Sequence, residues 1–364
     1  MTTVDLIRID VATPSRRYPV LVGENLALRL HEHLDAFGFP PHRVVVSSPR
    51  VWRLHGDRVP ACPGGCPPVI VPDGERSKHL RTVLRVYDGL IAAAADRGSG
   101  VVAVGGGVIG DMAGFAAATY LRGVPIAHVP TTLLAQVDSA VGGKTGVNLH
   151  EGKNLVGAFH QPSAVLVDPG FLGTLSGREY RAGLYEAVKY GVACSADLFA
   201  RMERELDALA ARDTSAVIPM IVECCRIKST IVSEDERESG VRRVLNFGHT
   251  AGHAFEAVTA YRRFKHGEAV ARGMRVALAL ARAREAITES DANRAEMLLA
   301  RLGRLPAIAD LRTTDLLAAV ARDKKVVDGR LHFVLPTGIG RVEIVTDVTT
   351  EELRAAFLAV GCGA

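Results

Sequence analysis

From Val44 onward, short runs of β-branched residues alternate with longer stretches of helical periodicity. Val44 to Val46, Val69 to Val71, Val101 to Val104, Ile126 to Val129 and Val165 to Val167 read as strands, and Ser77 to Asp96 is one of the helical segments between them. Strand, helix, strand in this order predicts a mostly parallel sheet covered by helices, which binds ligands at the carboxyl ends of its strands. Ahead of this rhythm, residues 4 to 22 predict two strands around a turn at Thr13-Pro14-Ser15, and Asn25 to Phe37 an amphipathic helix. After Asp168 glycine thins out and the pattern becomes helical to about residue 322, with helices over Ala182 to Ala193 and Thr214 to about Asp235. A hairpin turning at Asp328-Gly329 and a closing helix, Glu351 to Val360, complete the chain. The expected fold is an α/β Rossmann-like domain over residues 1–176 followed by an all-α domain over 177–364, with the boundary near Ser176.

One helical stretch carries polar residues where a core face belongs. If Val241 to Ala260 is a single helix, Arg242, Asn246, His249, His253 and Glu256 follow at steps of four, three, four and three, which places them in one stripe. Leu245, Phe247, Ala251, Ala254, Phe255 and Val258 flank that stripe with apolar surface, so the polar groups must find partners inside the fold. His249 and His253 can share one metal ion, and His266, opening the next helix, can add a third imidazole. The motif is not that of the zinc proteases, because Thr250 stands where their general-base glutamate follows the first histidine. On the helix Ala182 to Ala193, Glu186 is either a further metal ligand or an i, i+3 ion-pair partner of Lys189.

A second candidate site lies at a predicted strand end. Val104-Gly105-Gly106-Gly107-Val108-Ile109-Gly110-Asp111 matches the glycine pattern by which backbone N–H groups and a helix N-terminus hold a pyrophosphate. The acidic residue expected about 20 positions later for a ribose is absent, and Pro130-Thr131-Thr132 stands there. A variant dinucleotide site is therefore expected, with polar contacts from Asp73-Gly74-Glu75-Arg76-Ser77-Lys78; the alternative is a glycine turn that serves packing alone. Residues 138–161 hold five glycines, two lysines and two asparagines, and are expected to form a long structured loop in which Lys144, Lys153 and Asn154 bind an anion.

Composition narrows the functional classes. With 364 residues, 48% hydrophobic and 23% charged, the chain has the make-up of a two-domain soluble enzyme. Forty-four basic against 40 acidic residues give +4, too mild and too scattered for a nucleic-acid or membrane partner. The start, MTTVDLIRID, has no signal pattern, and the six cysteines form no disulfide framework, so a cytoplasmic protein is expected. The pair Cys62 and Cys66 reads as a plain loop.

Taken together, VGGGVIGDMAGF, VPTTLLAQVDSAVGGKTGVN, GKNLVGAF, GLYEAVKYG, SEDERESGVRRVLNFGHTAGHAFEA, HGEAVARGM and RDKK resemble the 3-dehydroquinate synthase family, densely over residues 70 to 335. The resemblance implies a homodimer that binds NAD and a divalent zinc or cobalt ion. It makes Glu186, His249 and His266 the metal ligands and leaves His253 facing the substrate. It implies NAD contacts from Asp73, Glu75, Lys78, Gly107, Val108, Ile109, Gly110, Asp111, Thr131, Thr132, Phe171, Leu172, Gly173 and Thr174, with Lys144 and Lys153 where cofactor and substrate meet. The implied substrate is a small anionic seven-carbon sugar acid phosphate. Arg242 and Asn246 then serve its carboxylate, while Asn154, Lys189, Lys324 and Lys325 serve the phosphate or nearby hydroxyls. Arg122 resembles a residue that reaches the partner's phosphate pocket. Asp138 joins the substrate contacts, and Lys144, Lys189, Lys228 and His253 the catalytic groups. The implied reaction is transient oxidation at C5, β-elimination of phosphate, return of the hydride, ring opening and aldol closure. Rival readings are a sugar phosphate cyclase acting on another substrate, an alcohol or glycerol dehydrogenase, and a non-catalytic NAD-binding regulator. In two places the chain departs from the family pattern: Ser47-Ser48 stands where an aspartate or asparagine is common, and Tyr185 where a smaller residue is usual.

Overall fold

The computed structural model describes residues 6–62, 65–322 and 332–364 in full, and the backbone alone of Val326–Val327 and Arg330–Leu331. Lys324, Lys325 and the Asp328-Gly329 turn lie outside the described residues. In chain order the elements are β1 (Ile7–Ala12), β2 (Arg17–Val22), α1 (Leu30–Ala36), β3 (His42–Ser47), α2 (Pro49–His55), β4 (Val69–Ile70), α3 (Leu80–Ala92), β5 (Ser99–Gly105), α4 (Gly107–Thr119), β6 (Ile126–Pro130), β7 (Lys144–Leu149), β8 (Gly152–Phe159) and β9 (Ala164–Val167). There follow α5 (Gly177–Cys194), α6 (Ala196–Arg204), α7 (Leu206–Ala210), α8 (Thr214–Glu234), α9 (His249–Val258), α10 (His266–Ala283), α11 (Glu289–Arg301) and α12 (Thr313–Ala321). Strands β10 (Val326–Val327), β11 (Arg330–Leu331), β12 (Phe333–Gly338) and β13 (Arg341–Val345) and helix α13 (Thr350–Ala359) close the chain.

These elements form two units, 1–176 with 217–237, and 177–216 with 238–364. In the first, seven strands make one sheet in the order β1-β2-β9-β6-β5-β3-β4. The β1/β2 hairpin pairs antiparallel and every other neighbour in this sheet runs parallel. Strand β5 is buried along its whole length, as the unbroken apolar run Val101 to Val104 requires of a strand covered on both faces. One face packs on α3 and α4 through Val83, Val86, Met112 and Ala116; the other packs Leu30, Leu34 and Phe171 against Val102, Val104 and Leu166.

Three sequence expectations are corrected here. Residues 138–161 do not form an irregular loop: β7 and β8 pair as an antiparallel hairpin, with Gly146 opposite Gly157. A Cβ on Gly146 would meet Val156 O at 2.7 Å, so this glycine admits a close crossing of strands and does not mark disorder of the ladder. The second correction concerns α8, expected within the helical domain, whose residues from Val217 onward belong to the first unit. Its anchors there are polar: Cys225 donates to Gln136 O at 3.3 Å, Lys228 pairs with Asp138, and Glu236 accepts from Gln161 Nε2 at 2.9 Å. Finally, the second unit is not wholly α-helical. Strands β12 and β13 pair antiparallel, and Gly340 N, in their turn, donates to Val192 O of α5 at 2.9 Å. The period-two alternation Arg341-Val342-Glu343-Ile344 was the available signal.

In the second unit α10 is the central element, packing on α5, α9, α13 and β12. Thirteen of its residues, from Gly267 to Ala281, are buried, which accounts for the run of alanine, valine and leucine along it.

Candidate metal and cofactor sites

The expected continuous helix from Val241 to Ala260 is broken. Val241–Asn246 forms a short 3-10 segment and α9 begins at His249, with Gly248 between them in the left-handed region at φ 77°. A side chain at Gly248 would meet Met274 Cγ at 2.6 Å and Val270 O at 2.8 Å, so the chain turns there to lie against α10. Only His249, His253 and Glu256 remain on one helical stripe. Arg242 and Asn246 precede it; Arg242 is buried and Asn246 Nδ2 donates to Glu238 Oε1 at 2.6 Å.

Three elements of the second unit bring together the residues expected to bind metal. Ligand atoms of Glu186 on α5, His249 on α9 and His266 on α10 all lie within 4.8 Å of one another. His266 Nε2 is 3.7 Å and His249 Nε2 4.0 Å from Glu186 Oε1. Glu186 is fully buried, and neither of its oxygens has a hydrogen-bond donor of good geometry among the described residues. The Lys189 ammonium stands 2.7 Å from Oε2 and also lies over the Tyr190 ring at 4.6 Å, so the i, i+3 ion pair forms and leaves Oε1 as the oxygen facing the two imidazoles. A buried carboxylate facing two imidazoles fits a divalent cation of the zinc or cobalt type, with three protein ligands and room for a further one. His253 is half-buried, its ring 5.6 Å from that of His249 and 6.0 Å from that of His266; it belongs to a second grouping, with Glu256 and His266.

Close helix packing sets this geometry. A Cβ on Gly267, beside His266, would meet the carbonyl carbon of Ala182 at 2.6 Å, and Ala182 stands one turn before Glu186. A Cβ on Gly273 would meet Gly252 N at 2.7 Å. Helix α10 therefore lies backbone to backbone against α5 beside His266 and against α9 two turns further on. Tyr185, larger than the family pattern expects, points away toward Gly303 O at 3.2 Å, and burial pushes its hydroxyl pKa up to about 12.

In the first unit, Gly106 precedes α4 without a side-chain cap, so Gly107, Val108 and Ile109 present backbone N–H groups at the carboxyl end of β5, while Gly110 N donates to Gly106 O at 3.0 Å and closes the first turn. Asp111 pairs with Lys78, and Lys78 also donates to Asn154 Oδ1. Burial pushes the Asp111 pKa up, against the pull of Lys78. Asn148 Nδ2 donates to Glu75 Oε1 at 2.8 Å, Asn148 Oδ1 accepts from Asn154 N at 2.9 Å, and Lys153 Nζ lies 3.6 Å from Glu75. The upstream loop Asp73 to Lys78 thus meets the β7/β8 hairpin. Asn148, in the same network, escaped the sequence reading because an asparagine between Val147 and Leu149 carries no motif of its own.

The other expected contacts are more dispersed. Thr131 is buried after β6, and Thr132 Oγ1 accepts from Ala135 N at 3.2 Å. At the π-type turn Ala135–Ser139 the Asp138 carbonyl accepts from Val141 N at 3.1 Å and from Lys228 Nζ at 2.6 Å, and Lys228 also pairs with the carboxylate. Phe171 and Leu172 are core residues: the Phe171 ring meets His55 edge-on at 4.8 Å, and Thr174 Oγ1 is 2.8 Å from His55 Nε2. Of the segment Phe171 to Thr174, Gly173 and Thr174 are exposed. Lys144 is exposed at the start of β7; Arg122 is exposed, at φ 68°. Ser47 donates to Val104 O at 2.8 Å and Ser48 caps α2, so both serves local structure where an acidic residue is common.

Comparison with known proteins places this architecture. The fold matches 2-epi-5-epi-valiolone synthase from Streptomyces hygroscopicus subsp. jinggangensis with NAD+ and Zn2+ bound (TM-score 0.86, 33% identity, 94% of this chain and 96% of that one). It also matches a 2-deoxy-scyllo-inosose synthase complexed with carbaglucose-6-phosphate, NAD+ and Co2+ (TM-score 0.85, 26% identity, 98% and 99%). A probable glycerol dehydrogenase from Sinorhizobium meliloti, 17% identical with a TM-score of 0.64, shares the fold alone. Fold and site together define an enzyme of the sugar phosphate cyclase class. Residues 68–182 match the family model for the 3-dehydroquinate synthase N-terminal region and 183–326 that for its C-terminal region. The 3-dehydroquinate synthase of Gloeobacter violaceus is 47% identical over 355 residues, 96% of this chain and 98% of its own. The chain belongs to the 3-dehydroquinate synthase family.

Proposed function

We propose that the protein converts 3-deoxy-D-arabino-heptulosonate 7-phosphate to 3-dehydroquinate and inorganic phosphate in the shikimate pathway, acting as a metal- and NAD-dependent carbon–oxygen lyase. The observation that carries the reading is the convergence of Glu186, His249 and His266 in a member of this family. Bound, a divalent cation would make sugar hydroxyls more acidic, and NAD+ would take up a hydride and give it back, leaving no net redox change.

The protein's own groups bind and position. Glu186, His249 and His266 hold the cation, and Lys189 balances the Glu186 charge at the same place. The first turn of α4 receives the dinucleotide phosphates, with Asp73, Glu75, Lys78, Thr131, Thr132, Lys153 and the segment from Phe171 to Thr174 around the cofactor. Arg242 and Asn246 take the substrate carboxylate, a charge-assisted pairing worth more when buried. Arg122, Asp138, Asn154, Lys324 and Lys325 serve the phosphate and hydroxyls. Lys144, Lys189, Lys228 and His253 orient the reacting carbons, and the proton lost from C6 leaves with the departing phosphate. Family resemblance and the exposed Arg122 support a homodimer. A cytoplasmic setting agrees with six free cysteines, and no helix among the described residues is long and apolar enough to cross a membrane.

Purified protein with NAD+ and Zn2+ or Co2+ should release phosphate from the heptulosonate phosphate without accumulating NADH. His249→Ala should lose bound metal and turnover together. Steady NADH production from glycerol, or phosphate release from sedoheptulose 7-phosphate alone, would overturn the assignment.

A further inference from the structure

Glu256 is the one member of the polar stripe on α9 that the proposed reaction does not use. It is 3% exposed, two turns beyond His249 and three residues beyond His253. A carboxylate so placed needs a partner that justifies its desolvation. Its Oε2 lies 3.4 Å from His266 Nδ1. The other nitrogen of that ring, Nε2, faces Glu186 Oε1 at 3.7 Å. The two nitrogens of His266 thus look in opposite directions, one at each carboxylate.

We propose that Glu256 is a positioning residue for the metal centre. It accepts a hydrogen bond from His266 Nδ1–H, fixes the imidazole in the tautomer whose Nε2 lone pair is free, and holds the ring turned toward Glu186 and His249. His266 needs such a support. It stands on the first residue of α10, its side chain is 32% exposed, and its own helix offers no preceding turn to hold the ring. His249, by contrast, is buried, with Nδ1 3.3 Å from Phe247 O, so the backbone supplies the same kind of orienting acceptor on that side. Each histidine then presents Nε2 inward and spends Nδ1 on an oxygen, which is how protein histidines are commonly held on a metal. Glu256 is itself fixed because α9 is locked against α10 at Gly252 and Gly273.

His253, Glu256 and His266 also converge within 4.8 Å, so the competing role for Glu256 is direct ligation. The chemistry separates the two. An orienting acceptor is partly replaced by a neutral amide oxygen, whereas an anionic ligand is not.

The inference rests on the metal-site reading of Glu186, His249 and His266, and the experiment tests them separately. Zinc affinity of the metal-free protein is measured by chelator competition for wild type, Glu256→Gln, Glu256→Ala and His249→Ala. Folding is followed by circular dichroism, and the visible spectrum is recorded after cobalt loading. The expected result is a 10- to 100-fold loss of affinity in Glu256→Ala, a smaller loss in Glu256→Gln, and a cobalt spectrum of unchanged coordination number in both. Should Glu256→Ala fail to fold, Glu256→Gln alone decides. Wild-type affinity in a folded Glu256 variant overturns the positioning role while leaving the metal site intact. A loss in Glu256→Gln as deep as that in His249→Ala overturns it in favour of ligation. Absence of tight zinc binding by the wild type overturns the metal reading itself.

Discussion

Replacing Gly267 by alanine tests whether packing of α5 against α10 sets the metal geometry. The added Cβ would lie 2.6 Å from the carbonyl carbon of Ala182 and 2.9 Å from its Cα. Carbon atoms in contact prefer about 3.5–4.0 Å, so the two helices must separate by roughly 1 Å. The obstacle is backbone, which cannot rotate away as a side chain would. Overpacking of this kind costs about 1–3 kcal/mol, and a backbone-to-backbone clash belongs at the upper end. The displaced atoms sit beside His266 and one turn from Glu186, and a binding constellation tolerates errors of only about 0.5 Å. Denaturant unfolding of the metal-free protein should therefore show a loss of about 2–3 kcal/mol, and zinc titration at least a tenfold loss of affinity. Gly177→Ala is the control. It opens α5, the helix that carries Ala182 and Glu186, and the nearest atom to its Cβ would be Arg181 Nη1 at 3.5 Å, so stability should hold or rise by up to about 1 kcal/mol. If Gly267→Ala unfolds at the wild-type denaturant concentration and keeps wild-type zinc affinity, the close approach does not control the centre.

Arg242→Ala should reduce kcat/KM for the heptulosonate phosphate far more than for sedoheptulose 7-phosphate, because only the former carries a carboxylate; equal losses on both would remove the pairing. Lys78→Met leaves Asp111 and Asn154 without their shared donor and should cost about 1–3 kcal/mol and weaken NAD binding, read by denaturation and by cofactor titration. His128, buried in β6, is held down to about 4 by desolvation and by His160. Since the unfolded chain binds this proton near pH 6.5 and the folded one does not, its contribution to stability is full above about 6.5 and falls away toward about 4. Unfolding midpoints of wild type and His128→Gln should diverge between pH 7 and pH 5, with the wild type the more acid-sensitive; parallel curves would rule this out.

Much of the fold was legible because long patterns repeat. The parallel strands announce themselves as unbroken apolar runs, and α8 and α13 lie within a residue or two of their expected bounds. Glycine was the main source of error, since the same residue marks an irregular loop and a tight crossing. Gly146 and Gly157 do the latter, and no single-sequence signal tells the two apart. Gly248 misled in the opposite sense: one turn residue inside a helical periodicity split the stripe at Arg242 and Asn246 from that at His249. For the metal residues, spacing could offer His249 and His253 as a pair, but the choice of Glu186 came from whole-motif resemblance. Tertiary packing of α5 on α10 brings that carboxylate in, and packing leaves no trace in local spacing.

The excursion of residues 217–237 has a consequence for how the gene can be divided. The polypeptide passes from one body to the other three times, after Ser176, after Ala216 and after Arg237. A fragment ending at Ser176 would leave Asp138 without the lysine that neutralises it and Gln136 O without its thiol donor. No single stop codon yields an intact half, so either body would have to be expressed from a rearranged or spliced reading frame.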